Sequence, residues 1–444
     1  MLHNLPEVQD LDYWLRYISS VHPRDIELGL DRIRLVANNL GIEKLAPQVV
    51  VVAGTNGKGS CVISMEEILL AADYKTASYT SPHIHRYTER IKLNGSEVNE
   101  EILCAAFAKV ESCREGVSLS YFEFSTLAAL WIFFNSDIDV VLLEIGLGGR
   151  LDAVNIVDGD VTIISSIGMD HQDWLGESLE LIGAEKAGIL RKDVPLVYGD
   201  EYPLESILNR AHDLGVPLYL AGQQICWEDS KATSSFHWHG ERNGNQTSLS
   251  ELPLTNIYVA NIALALQALF LLGLELPDEK IRGALGKVSN PGRQELRNDV
   301  ETSISVLLDV AHNPAAMQLL AINLRRKKAE NPALQKISAV MAVMADKDIE
   351  GMAAALESTV DFWYIAQVEE PRCMPVEEVA GWLEQNDKIK GFLVKQDSVV
   401  AAYDQACKAS AEFEAAHPGK ESLVIVVGSF YTVAAVRELS KTVG

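Results

Sequence analysis

The chain has 444 residues, with 38 Lys+Arg against 62 Asp+Glu, for a formal net charge of −24. At 48% hydrophobic and 23% charged residues, the composition is that of a packed globular protein of two or three domains and not of a disordered chain. The acidic balance argues against a general nucleic-acid binder, but a few local donors can still hold a small anion.

The opening Met1-Leu2-His3-Asn4-Leu5-Pro6-Glu7 has neither the basic nor the apolar region of a signal peptide. The longest apolar stretch, residues 262–274, is interrupted by Gln267 and is too short to cross a bilayer. A soluble, cytoplasmic protein without membrane partners is expected. Six cysteines (61, 104, 113, 226, 373 and 407) form no C-x-x-C pair, so neither a disulfide framework nor a structural zinc is expected. Most should be small buried residues.

Along the chain, short β-branched runs alternate with longer helical patterns, which predicts parallel βαβ units. Strands are predicted at 49–53, 76–79, 140–145, 161–165 and 196–198, with helices such as 59–72 and 123–135 between them. Their nearly continuous apolar character suits a sheet covered on both faces. Residues 220–252 read as an antiparallel decoration, a hairpin turning at Asn243-Gly244. His237 and His239 share one strand face, either as a solvated surface or as part of a metal site, although no third ligand is near in sequence. After Asn290-Pro291-Gly292-Arg293 a second alternating block begins, with strands at 304–309, 337–343, 362–365, 392–394 and 423–427. The fold class is therefore α/β. A P-loop-type ATPase domain with a mainly parallel sheet is expected over 1–296, and a smaller Rossmann-like domain over 297–444, facing each other across a cleft.

Four motifs carry chemistry. In Gly54-Thr55-Asn56-Gly57-Lys58-Gly59-Ser60, a run of four valines enters a glycine-rich turn and then a helical pattern. Backbone N–H groups of such a turn cradle phosphate oxygens, Lys58 would reach the β and γ phosphates, and Ser60 or Thr55 would approach a magnesium ion. The pattern departs from a strict Walker A, because Gly59 separates the lysine from the serine. Thr80-Ser81-Pro82-His83 follows the second strand, as a Ser-Pro turn or as a ligand position at the sheet's C-terminal edge. Glu144 ends a buried strand and needs a compensating group, either a metal ion or Arg150. Asp170-His171 follows the fourth strand, so Ser81, Glu144 and His171 each follow a separate strand on one sheet edge.

In order along the chain, these motifs are joined by Glu144-Ile145-Gly146-Leu147-Gly148-Gly149-Arg150-Leu151-Asp152, Glu185-Lys186-Ala187-Gly188, Pro291-Gly292-Arg293 and Asp309-Val310-Ala311-His312-Asn313-Pro314. Together they resemble the folylpolyglutamate synthase/dihydrofolate synthase family of the Mur ligase superfamily, from near residue 20 to Gly428-Ser429-Phe430. The resemblance implies ATP-dependent amide formation. A substrate carboxylate takes the γ-phosphoryl group of ATP, and the amine of L-glutamate then displaces phosphate from the acyl phosphate.

By the same resemblance, Thr55, Asn56, Gly57, Lys58, Gly59 and Ser60 form the phosphate loop, and Asn261, Arg293 and Asp309 contact the nucleotide. Ser81, Glu144 and His171 bind Mg2+, with a monovalent cation as a further cofactor. Lys58, Glu144, His171 and Lys186 are the catalytic set, and Lys186 matches a lysine the family carries as N6-carboxylysine. The pteroate loop matches Ile26-Glu27-Leu28, Ser120-Tyr121-Phe122-Glu123 and Leu151-Asp152-Ala153. Tyr121 and Phe122 suit a flat pterin ring or, equally, the packing at a helix entry. Because the full set is present, the implied enzyme accepts dihydropteroate as well as reduced folates, and acts as a monomer on small molecules.

Other readings make different demands. A Mur ligase for cell-wall nucleotides would normally have an N-terminal uridine-nucleotide domain, and only about 48 residues precede the first strand. A folylpolyglutamate synthase without dihydropteroate activity would lack the pteroate set. A P-loop kinase or nucleotide switch would release phosphate without regard to glutamate, and a non-catalytic binding module would leave Lys58 and Glu144 without a task.

Overall fold

The computed structural model describes residues 9–24, 26–230, 234–385 and 392–442; the opening residues 1–7 discussed above, and 231–233 of the hairpin block, lie outside them. The chain divides into two compact units, one of residues up to Gly168 with Gln172–Val288, the other of Met169–His171 with the chain from Ser289 onward. The division at 288/289 precedes the expected 296/297 boundary. The reason is that the Pro291-Gly292 turn is already tied into the second unit: Val310 N donates to Gly292 O at 2.8 Å, and Gly292 N to Glu295 Oε2 at 2.7 Å.

The first unit is built on eight strands: β1 (Gln48–Ala53), β2 (Thr76–Tyr79), β3 (Ile91–Leu93), β4 (Ser96–Glu97), β5 (Val140–Glu144), β6 (Val161–Ile164), β7 (Leu196–Tyr198) and β8 (Leu218–Leu220). Their spatial order is β4-β3-β2-β5-β1-β6-β7-β8. Every pairing from β2 to β8 is parallel, and β3 and β4 add an antiparallel edge. The strands are apolar throughout because both faces are covered. Val49, Val51 and Ala53 enter one core with Phe124 and Leu127 of the helix Tyr121–Phe134. Val50 and Val52 enter the other with Met65 of the helix Lys58–Ala71 and Ile262 and Leu266 of the helix Val259–Leu271. Each such buried side chain contributes about 1.5–3 kcal/mol. The apolar stretch 262–274 is thus mostly a core helix, ending at Leu271; among the described residues no helix is long and apolar enough to cross a membrane.

The decoration is a three-stranded sheet, β9 (Cys226–Asp229), β10 (Ser235–Arg242) and β11 (Asn245–Pro253), in the order β11-β10-β9. It turns at Asn243 (φ +53°) and Gly244 (φ +75°), the left-handed pair that a tight hairpin demands. Trp238 of β10 is fully buried, while His239 beside it is exposed.

The second unit holds β12 (Glu295–Asp299), β13 (Ser305–Leu308), β14 (Leu334–Met341), β15 (Phe362–Ile365), β16 (Phe392–Lys395), β17 (Glu421–Val427) and β18 (Ser440–Thr442), in the order β16-β15-β14-β17-β13-β12-β18. The pairings from β16 to β13 are parallel, and β12 and β18 pair antiparallel. Neighbouring residues again split between two cores, Ile425 and Val427 on one face and Val424 and Val426 on the other. The antiparallel edges β3, β4, β12 and β18 are not among the predicted strands. All six cysteines are free, but only Cys61, Cys373 and Cys407 are buried; Cys104, Cys113 and Cys226 are half-exposed, so burial is less general than composition suggests.

Candidate active site

The parallel core of the first sheet aims the ends of β2, β5, β1 and β6 at one edge, where open α/β sheets bind ligands. At the end of β1 the chain passes through Gly54 (φ +148°) and Gly57 (φ +88°) before the helix Lys58–Ala71 begins. Both glycines are required. A Cβ at Gly54 would collide with Ser165 Oγ, and one at Gly57 with the carboxamide of Asn261. The neighbouring loop fixes the turn: Thr55 N donates to Ser166 O at 2.7 Å, Ser165 Oγ donates to Asn56 O at 2.6 Å, and Asn56 N donates to Ser166 Oγ at 3.3 Å. Thr55 Oγ1 both donates to Gly168 O (3.2 Å) and accepts from Gly168 N (3.0 Å). Of the two hydroxyls considered for a cation, that of Thr55 is therefore occupied in holding the loop. Lys58 Nζ folds back to Gly54 O (3.1 Å) and Thr55 O (3.3 Å).

Glu144, at the tip of β5, is buried at 4% exposure. Its Oε2 accepts the Ser81 N–H at 3.2 Å and lies 3.4 Å from where a Cβ on Gly59 would stand. The carboxylate thus lies beside the first turn of the helix Lys58–Ala71, at a distance that a Cβ at Gly59 would meet as ordinary contact. Arg150, the alternative partner, instead pairs with Glu185, Nη2 to Oε1 at 2.7 Å. A magnesium-type cation takes one or two carboxylates with hydroxyl, water and substrate phosphate oxygens. One buried carboxylate and Ser81 beside a phosphate loop form a donor set of that kind. Among the described residues no group of three or more His, Cys, Asp or Glu offers an all-protein cage, at His237 and His239 or elsewhere.

Lys186 is 3% exposed, and its Nζ donates to Gly54 O at 2.9 Å. Its sequence pattern is that of an exposed helical lysine, yet the fold brings it under the phosphate loop.

The three segments matched to the pteroate loop come together. Gly29 N, just beyond Ile26-Glu27-Leu28, donates to Leu151 O at 3.2 Å. Ser120 and Glu123 form a capping box: Ser120 N donates to Glu123 Oε2 at 2.8 Å, and Glu123 N to Ser120 Oγ at 3.3 Å. The box starts the helix that carries Tyr121 and Phe122. Phe122 stacks on Tyr79 at 6.0 Å, and its ring occupies the space a Cβ at Gly146 would need. Tyr121 lies edge-on to Tyr87 at 6.1 Å, with the Arg90 guanidinium 5.8 Å from its ring centroid. Packing at a helix entry is therefore part of what these aromatics do. Asp152 is fully buried and accepts from Leu147 N (2.8 Å) and Val154 N (2.9 Å), fixing the Gly146–Gly149 loop and capping the turn Ala153–Ile156. Burial pushes its pKa up to about 6, against the pull of these N–H groups and of Lys58. Sequence reasoning missed Arg32, which pairs with both Glu27 and Glu123, and Arg90, whose Nε donates to His83 Nδ1 at 2.8 Å. Their partners lie on other segments, and no local pattern marks them.

In the second unit, Arg293 lies 5.0 Å over the ring of Phe430. Asp309 is buried, and burial raises its pKa; it accepts from Ala311 N (2.9 Å) and from Gln294 N and Nε2 (3.1 and 2.6 Å). His171 adopts φ +52° and groups with this unit through its neighbour Asp170. Asp170 meets Lys347 Nζ at 2.7 Å, Asn313 Nδ2 at 3.0 Å and His312 Nε2 at 3.5 Å. Burial alone would raise the Asp170 pKa, but the His312 hydrogen bond and the surrounding positive charges hold it well below the usual carboxylate range.

A family model described as "Mur ligase, glutamate ligase domain" matches residues 292–430. A protein named dihydrofolate synthase/folylpolyglutamate synthase from Escherichia coli is 43% identical over 96% of this chain and 94% of its own length. The chain belongs to the dihydrofolate synthase/folylpolyglutamate synthase family. Solved structures agree. Escherichia coli FolC in complex with DHPP and ADP superposes with a TM-score of 0.87 at 39% identity, covering 97% of both chains. The bifunctional Yersinia pestis enzyme complexed with AMPPNP and Mn ion gives a TM-score of 0.86 at 40% identity, covering 97% of this chain and 98% of the other. Enzymes of this family are ATP-dependent ligases of the Mur type, and the α/β architecture with a smaller second sheet unit is theirs.

Proposed function

We propose that the chain joins L-glutamate to dihydropteroate and to the γ-carboxyl of tetrahydrofolate, consuming ATP through an acyl phosphate. The observation that carries the reading is the convergence, at one edge of the first sheet, of the Gly54–Ser60 turn, Glu144 and Ser81. In phosphoryl transfer the protein does little covalent work; catalysis comes from positioning and neutralising charge. The loop N–H groups and Lys58 would hold the triphosphate, with Asn261 closing over Gly57. Ser81, Glu144 and His171 would hold Mg2+, which supplies Lewis-acid neutralisation of the phosphate charge. Residues 1–296 would serve the nucleotide and pteroate. Residues 297–444 would serve glutamate, and Arg293 and Asp309 the nucleoside.

Lys186 fits a carbamate: its neutral amine nitrogen would bond the carbon of CO2 and lose one proton, turning a buried cation into an anion suited to a metal site. A monovalent cation, a monomeric state and a cytoplasmic location complete the proposal.

The test is ADP formation with ATP-Mg, with dihydropteroate and tetrahydrofolate in parallel, each with and without L-glutamate. Glutamate-dependent product with both acceptors is expected. Phosphate release indifferent to glutamate would overturn the ligase reading. Turnover with tetrahydrofolate alone would reduce it to a folylpolyglutamate synthase.

A further inference from the structure

The segments 26–28, 120–123 and 151–153 are far apart in sequence, and one side chain outside all of them binds two of them at once. Arg32 sits in the first turn of the helix Asp31–Leu40. Its Nη1 pairs with Glu27 Oε1, and its Nη2 donates to Glu27 O at 3.0 Å. The same Nη2 lies 3.2 and 3.3 Å from the two carboxylate oxygens of Glu123. Glu123 is 3% exposed, and its carboxylate also closes the capping box on Ser120 N. A buried carboxylate needs a compensating charge. Arg32 supplies it, and so stabilises the group that decides where the helix begins and where Tyr121 and Phe122 point. Glu27 is held from its other side by His22, Nε2 to Oε2 at 3.1 Å, with His22 Nδ1 in turn 2.7 Å from Ser118 Oγ. The His22 hydrogen bond and the Arg32 charge together keep Glu27 below the ordinary carboxylate range. The third segment joins through Gly29 N and Leu151 O.

We propose that Arg32 is a positioning residue for the pteroate substrate. Its planar guanidinium sets the spacing of the three segments, while none of its contacts reaches the phosphate loop. The inference rests on the reading of those segments as the pteroate site. Arginine suits the task because its rigid fork can serve a carbonyl and two carboxylates together; the point charge of a lysine cannot.

The experiment is steady-state kinetics on the full chain, varying dihydropteroate, ATP and glutamate in turn, for the wild type, Arg32→Ala, Arg32→Lys and Phe122→Ala. Arg32→Ala is expected to raise the KM for dihydropteroate about tenfold, the size of one lost charge-assisted hydrogen bond. The ATP KM and kcat at saturation should stay within about twofold, because the phosphate loop is not touched. Arg32→Lys, which keeps the charge and guards against a folding failure, should recover part of that loss. Equal losses for all three substrates, without recovery in the lysine variant, would mean a general structural role and would overturn the proposal. Phe122→Ala separates the two layers. If it raises the dihydropteroate KM and Arg32→Ala does not, the positioning role fails; if Phe122→Ala leaves that KM unchanged, the pteroate site itself is misassigned.

Discussion

The loop proposed to hold phosphate and the segments proposed to hold pteroate lie in the same unit but are held in different ways. At the loop, the backbone forms the cradle: Gly54 and Gly57 take conformations that side chains disfavour, and Ser165 and Asn261 close in where a Cβ would stand. At the pteroate segments, side chains form the frame. Asp152 organises one loop, and Ser120 with Glu123 starts the helix that presents the aromatics. A frame of backbone should lose chemistry without losing stability when one side chain is removed, whereas a frame of side chains should lose both.

The strongest test of this contrast is Lys58→Ala. It should lower kcat about 10³-fold, roughly 4 kcal/mol of transition-state stabilisation, while unfolding stability measured in urea changes by less than about 1 kcal/mol. A comparable loss of stability would erase the distinction between the two regions.

Asp152 gives the next effect, on the ligand-free chain. The buried folded carboxyl keeps its proton up to about pH 6, whereas an unfolded one releases it near 3.8. Its contribution is therefore complete below the unfolded value and is lost as pH rises through the folded one. The swing is on the order of 3 kcal/mol. Urea unfolding at a series of pH values should show that slope in the wild type and not in Asp152→Asn; equal slopes would place the pH dependence elsewhere.

The smallest effect belongs to Ser120→Ala. Removing this cap should cost about 1 kcal/mol and weaken dihydropteroate binding more than ATP binding. Thermal unfolding and the two KM values would check it, and a larger change for ATP would blur the contrast.

The same contrast explains what the sequence discloses. Glycines at 54, 57 and 59 after a valine run are themselves the signal of a backbone cradle, so the loop is readable, and so are the central strands with their apolar runs. The tasks of Arg32 and Lys347 are not. Arg32 meets Glu123 across 91 positions and Lys347 meets Asp170 across 177, and each looks locally like an ordinary surface cation. Helical periodicity gives no hint that Lys186 is buried, and only the family resemblance singles it out in the sequence. The edges β12 and β18 escaped because short antiparallel strands with mixed polarity lack the unbroken apolar run of a central parallel strand.

The tripeptide Met169–His171 bears on how the molecule could be taken apart. The polypeptide enters the second unit there, leaves at once, and returns for good only at Ser289. The partner that Lys347 meets, Asp170, is therefore encoded far upstream of the unit it stabilises. Severing the main crossing would leave the C-terminal half without Asp170, so that Lys347 would keep only its half-exposed neighbour Asp346 (3.2 Å) as a counter-charge. The second unit is thus completed by a tripeptide that the chain supplies more than a hundred residues before the rest of it.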